Sequence, residues 1–241
     1  MKAIYRPKGK AAEYAPLALN IYTGCSFGCK YCYAPASMRR SYERYTTEIE
    51  PRKDILSKVA YDCKQLAGSS EMVQLSFIGD PYQPMDENLM FTREIIKLIG
   101  EHGIPFSILT KAGKAARRDF DLLKKYDGMF GVSAVWWHDH FGREFWEPGA
   151  SRIPHRVFSL NLAKKEGITT WVSMEPVIDP REALKLIDMI HPWVDHWKIG
   201  KINHNRALEV AVDWIAFREE VQAKLDGLGA DYYLKKSLTE L

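Results

Sequence analysis

Three of the four cysteines of the chain crowd into the run TGCSFGCKYCYAP, at Cys25, Cys29 and Cys32. That spacing is poor for a secreted disulfide framework and reads instead as a ligand set in a reducing compartment. Structural zinc takes four Cys or His ligands, commonly from two paired knuckles. No second Cys pair exists, so a zinc site would have to borrow His138 or His140. Three thiolates alone suit another chemistry, because they leave one iron of a four-iron cluster without a protein ligand and open to direct coordination. Cys63 stands apart: it shares a helical face with Leu56, Val59 and Leu66, which predicts a core position.

The elements that must hold this loop alternate along the chain. Apolar runs at 17–24, 72–79, 104–110, 128–137, 168–174, 195–200 and 231–236 read as strands. Amphipathic stretches at 52–67, 87–103, 115–126, 154–167, 181–192 and 205–229 read as the helices between them. This order implies an α/β fold with a parallel sheet and right-handed crossovers, either doubly wound and open or a partly closed barrel. Both place ligands at the carboxyl ends of strands, where the cysteine loop falls.

With 241 residues and no repeat or linker, one domain over 1–241 is expected. The 46% hydrophobic and 27% charged content is that of an ordinary globular protein. The net charge, 34 − 31 = +3, is too small to predict nucleic-acid binding by itself. No apolar run approaches the roughly 18 residues of a membrane span, so no membrane association and a cytoplasmic location are expected.

Cys-x3-Cys-x2-Cys with an aromatic, Tyr31, in the last gap resembles the signature of the radical S-adenosylmethionine superfamily. The resemblance implies a [4Fe-4S] cluster on Cys25, Cys29 and Cys32, with S-adenosylmethionine as second cofactor. It implies reductive cleavage to a 5'-deoxyadenosyl radical, fed by an external flavodoxin- or ferredoxin-like one-electron reductant. It also implies a partial (β/α)6 TIM-like barrel, which selects between the two architectures. The segments SFIGDPYQPMD, ILTKAG, GVSAV, EPGASR and WVSMEPV resemble, in order, those of the spore photoproduct lyase group.

From that likeness Asp80 and Lys111 are expected to meet the ammonium and carboxylate of the cofactor's methionine part. Ser133 and Glu175 are expected at its aminoacyl or ribose groups, and Gly79 at close backbone approach. Tyr31 would support the adenine, and Tyr31 and Tyr33 would relay hydrogen atoms. Arg152 and Arg156 are candidates for a carboxylate, with Arg156 otherwise a surface residue of its helix. The lyase's hydrogen-donor cysteine corresponds here to Phe77, so the radical-generating half carries over and repair of the spore photoproduct does not.

For the substrate, a nucleic-acid base or nucleotide is the leading expectation, and a peptide or small metabolite the alternative. A non-catalytic iron-sulfur or zinc protein is the reading from a different class. The segment WWHDHFGREFW could stack a planar substrate through Trp136, Trp137, His138, His140 and Arg143. Lys198, Lys201, His204, Asn205 and Arg206, with Lys235 and Lys236, could form a phosphate-binding rim.

Overall fold

A computed structural model describes residues 2–203 and 205–241, apart from the side chains of 139–141. Eight strands form one sheet: β1 (Ile4–Tyr5), β2 (Leu17–Leu19), β3 (Val73–Leu75), β4 (Phe106–Thr110), β5 (Met129–Ser133), β6 (Thr170–Val177), β7 (His196–Lys201) and β8 (Asp231–Leu234). They lie in sequence order, β1 to β8. Only β1 is antiparallel; every pair from β2 to β8 is parallel. An order without reversal has no switch point and is not doubly wound. The sheet is a partial barrel with β1 and β8 at its edges.

Alternation along the strands separates a polar interior from an apolar exterior. Ser133, Trp171, Ser173 and Lys198 share the inner side, where the Tyr14 hydroxyl lies 2.9 Å from Ser173 Oγ and the Lys198 ammonium sits over Trp171. Val132, Val172, Trp197 and Ile199, the alternating residues, belong to the buried hydrophobic core. Helices Ile55–Leu66, Phe91–Glu101, Ile153–Lys165 and Pro180–Ile190 cover that outer face. Cys63 is fully buried among them, as its helical spacing predicts.

Several boundaries differ from the sequence reading. The expected helix 87–103 is broken at Met90, whose φ of 55° is left-handed. The expected helix 205–229 is two, Arg206–Ala211 and Trp214–Gly227, the second capped by Asp213. The segment 136–146 contains an unpredicted helix, Asp139–Trp146. Strand β1 escaped detection because two residues show no period. It is held by Asp62, which accepts from the amides of Ala3 and Ile4 at 2.6 and 2.9 Å.

Gly131 is the tightest point of the interior. A Cβ there would stand 2.2 Å from the Trp171 ring and 2.7 Å from the Ile108 carbonyl oxygen. Overpacking of this kind costs about 1–3 kcal/mol. Gly131→Ala is expected to lower the unfolding free energy by about that amount in urea titration; an unchanged midpoint would contradict the packing of Trp171 over the glycine.

Candidate functional site

The loop after β2 brings Cys25, Cys29 and Cys32 to a cavity of about 760 Å³ at the carboxyl ends of the strands. Its backbone is tied from several sides. The Cys25 amide donates to the Tyr45 carbonyl at 3.1 Å, and the Lys30 amide to that of Trp146 at 2.9 Å. The buried Gln83 side chain accepts from the Ser26 amide and donates to the Gly24 carbonyl. Gly149 donates to Phe27, and a Cβ on it would meet the Ser26 carbonyl oxygen at 2.6 Å.

Gly79 has a positive φ of 81°, and a Cβ there would lie 2.6 Å from the Gly24 carbonyl oxygen. The close approach that requires glycine is therefore that of the cysteine loop. Asn20 completes the junction: its Oδ1 accepts from the amides of Phe77 and Ile78 at 2.8 and 2.7 Å.

Strand ends supply the rest of the lining. Asp80 Oδ1 accepts from the Thr110 hydroxyl and the Tyr82 amide, and Oδ2 from the Lys111 amide at 2.7 Å. Burial pushes this carboxyl above its usual range against those donors. The Lys111 ammonium lies 3.9 Å from Glu147 and 5.8 Å from the Tyr31 ring centre. Burial pulls Lys111 down, but Cys29 and Glu147 outweigh it and hold the ammonium above its ordinary pKa. Ser133 lines the same cavity, as does Glu175, which lies inside β6 and not after it.

Glu147, absent from the sequence-based candidates, is the centre of this side. It is 1% exposed, accepts from the Tyr31 hydroxyl, and takes the Arg156 guanidinium at 2.5 Å. Burial would raise its carboxyl, but Arg156 and Lys111 outweigh that and hold it below the usual range. Arg156 is fully buried and also donates to the carbonyls of Ser133 and Ser151, at 2.8 and 2.9 Å. It is scaffold and not a surface residue of its helix. Arg152 is exposed.

Opposite, Glu175 Oε2 accepts from the Tyr14 hydroxyl at 2.6 Å and the Lys235 ammonium at 2.7 Å. The Lys198 ammonium donates to the Tyr14 carbonyl at 2.6 Å. Lys198 and Lys235 thus face inward and form no phosphate rim. Lys201 Nζ lies 5.9 Å from the Trp214 ring centre, and Lys236 pairs with Glu240. Asn205 caps the helix that starts at Arg206. His204 lies outside the described residues.

The aromatic segment also turns away from the expected role. Trp136 is 3% exposed, with Gly142 packed against its ring. The amides of Trp137 and His138 donate to Glu182, and the His138 ring nitrogen lies 2.7 Å from it. Arg143 donates to the carbonyls of Pro148 and Ala150. None of these four lines the cavity; the side chain of His140 lies outside the described residues.

The three cysteine side chains line one cavity, and three thiolates fit a four-iron cluster with one iron left open to a further ligand. Burial pushes the Cys25 thiol up to about 12 and raises Cys29 and Cys32 as well, so loading must release their protons.

Residues 19–191 match the radical SAM superfamily. The chain belongs to that superfamily. An uncharacterized protein of Methanocaldococcus jannaschii is 26% identical over 179 residues, 73% of this chain and 65% of that one. An uncharacterized protein of Mycobacterium tuberculosis is 30% identical over 121 residues, 48% of this chain and 35% of that one. The chain therefore spans less than two thirds of either relative.

Among solved structures, spore photoproduct lyase complexed with dinucleoside spore photoproduct superposes with a TM-score of 0.70 at 13% identity, covering 95% of this chain and 80% of that one. Streptococcus suis SuiB bound to S-adenosylmethionine gives 0.65 at 14% identity, covering 90% and 50%. These likenesses show the shared radical SAM fold. The superfamily implies S-adenosylmethionine and an iron-sulfur cluster. Among the described residues no helix is long and apolar enough to cross a membrane.

Two outcomes follow from the site's packing and charge. Gly79→Ala forces the cysteine loop off the strand end, and is expected to cut iron and sulfide incorporation on anaerobic reconstitution while the protein stays folded by circular dichroism. Burial, with Lys235 nearby, lowers Lys198 to about 8, whereas an unfolded lysine keeps its proton to about 10.4. Between those values the unfolded chain binds more protons, so stability rises with pH across the window, and below it the burial penalty is complete. Lys198→Met is expected to flatten the rise in urea-unfolding free energy between pH 8 and 10; equal slopes would refute the assignment.

Proposed function

We propose that this chain is a single-domain radical SAM enzyme, residues 1–241, that holds a [4Fe-4S] cluster through Cys25, Cys29 and Cys32 and acts on a nucleic-acid base or nucleotide. The observation that carries the reading is the convergence of the three cysteines with Asp80, Lys111, Ser133 and Glu175 on one cavity. Cys25, Cys29 and Cys32 would hold the cluster, which when bound and reduced would supply the one electron for cleavage of S-adenosylmethionine into methionine and a 5'-deoxyadenosyl radical. Everything else falls to the protein.

Lys111, kept charged, is suited to the cofactor's carboxylate, and Asp80 retains acceptor capacity beyond its three bonds for the ammonium. Those same bonds fix the Asp80 carboxylate before a ligand arrives. Ser133 offers a hydroxyl, and Glu175 a second carboxylate oxygen for ribose hydroxyls. Tyr31, pinned by Glu147, supports the adenine. Tyr33 is 48% exposed on the cavity, its hydroxyl 3.3 Å from the Phe77 carbonyl oxygen; of the two tyrosines it is the better placed to pass a hydrogen atom to or from a substrate. The electron comes from an external flavodoxin- or ferredoxin-like carrier.

The nucleotide reading draws support from the dinucleoside bound by the lyase of the same fold. SuiB, of that fold too, binds a precursor peptide, which makes a peptide the competing substrate.

The radical half is tested by anaerobic reconstitution, dithionite reduction with S-adenosylmethionine, and chromatography for 5'-deoxyadenosine. The native protein is expected to form it. Cys29→Ala is expected to form none and to lose most of its iron. Absence of product from native protein with a verified four-iron cluster would move the chain to the non-catalytic class.

A further inference from the structure

The cavity mouth carries positive charge that cofactor binding does not use. Among the charged residues lining it, Lys235 is paired with Glu175, Lys111 faces Glu147, and Arg6 is held by Glu71 through two bonds of 2.7 and 2.8 Å. Lys8 and Lys10 differ. Both are exposed and line the cavity. The Lys10 ammonium meets only the neutral Asn203 side chain, at 2.5 Å, and among the described residues no carboxylate pairs with either lysine.

The strap that bears them is fixed in place. Lys235 donates to the Lys10 carbonyl at 3.2 Å, Lys198 to the Tyr14 carbonyl, and the Tyr14 hydroxyl to Glu175. Interior lysines thus fasten the segment whose own lysines face the cavity. Tyr5, Tyr33 and Tyr42, between 36% and 48% exposed, line the same space. Aromatic rings and ammonium groups lining one space suit a planar ring carrying an anion.

We propose that Lys8 and Lys10 bind the phosphate of a nucleotide unit whose base lies among Tyr5, Tyr33 and Tyr42. This deepens the nucleotide reading above and rests on it. A phosphodiester in a single strand and a free nucleotide present the same chemistry, and the test separates them.

The test measures fluorescence anisotropy of a labelled single-stranded DNA of about ten nucleotides with anaerobic, cluster-loaded protein and S-adenosylmethionine over a range of KCl, with thymidine and thymidine 5'-monophosphate as competitors. Affinity is expected to fall with salt. The double variant Lys8→Ala/Lys10→Ala is expected to bind roughly tenfold or more weakly at low salt and to flatten the log–log salt slope by about 0.7, the increment for one phosphate contact on a single strand. Lys8→Arg/Lys10→Arg restores binding, and Arg181→Ala, whose side chain is 93% exposed, binds as the native protein does. Competition by the monophosphate but not by thymidine points to a free nucleotide; competition by neither points to the strand. Native-like binding by the alanine pair, binding indifferent to salt, or no binding overturns the proposal. If 5'-deoxyadenosine forms and no nucleotide binds, this inference falls alone. If lysine-dependent binding occurs without 5'-deoxyadenosine, the radical reading falls and the phosphate site stands.

Discussion

The structure depends on holding an irregular loop still. Residues 20–33 bring three thiols to the barrel mouth almost without regular secondary structure, so their backbone groups need partners from elsewhere. Tyr45, Gln83, Trp146 and Gly149 provide them from three separate stretches of chain. Glycines at 24, 79 and 149 let main chain approach main chain where a side chain would intervene. The loop is therefore held from several sides, as a ligand set of fixed spacing demands.

Two buried charge networks flank the cavity. On one side Glu147 joins Arg156, Lys111 and Tyr31; on the other Glu175 joins Lys235 and Tyr14. Ion pairs taken out of water seldom add net stability, since desolvation offsets most of their attraction. Their value here is positional. Each carboxylate is satisfied by a cation and a phenol, so the side chains facing the cavity keep one arrangement.

The alternation of strands and helices and the crowding of three cysteines into one loop were legible in the sequence, because period and spacing are local. Asp80 and Lys111 follow β3 and β4, Ser133 ends β5 and Glu175 lies within the last part of β6, and a parallel barrel gathers the carboxyl-terminal parts of its strands together. What was not legible depends on contacts between distant segments. Glu147 sits in a recognised motif, EPGASR, but nothing local shows that it reaches Tyr31. Tyr14 lies in an aperiodic stretch, and its hydroxyl meets residues about 160 positions away. Trp136 misled because an aromatic at a strand end looks the same in sequence whether it faces solvent or core. Lys198 and Lys235 misled because a lysine's direction depends on the strand's inner and outer faces.

The strap at Gly9–Tyr14 has a consequence for how the chain assembles. Its anchors, Lys198 and Lys235, lie 184 and 225 residues downstream of the carbonyls they bind. The strap can therefore be seated only once β7, which carries Lys198, and the residue that follows β8, Lys235, are in place. Closing so long a loop is entropically unfavourable until the intervening strands are paired. The cavity wall on this side is a clasp between segments 184 and 225 residues apart in sequence, closing after the sheet it rests on.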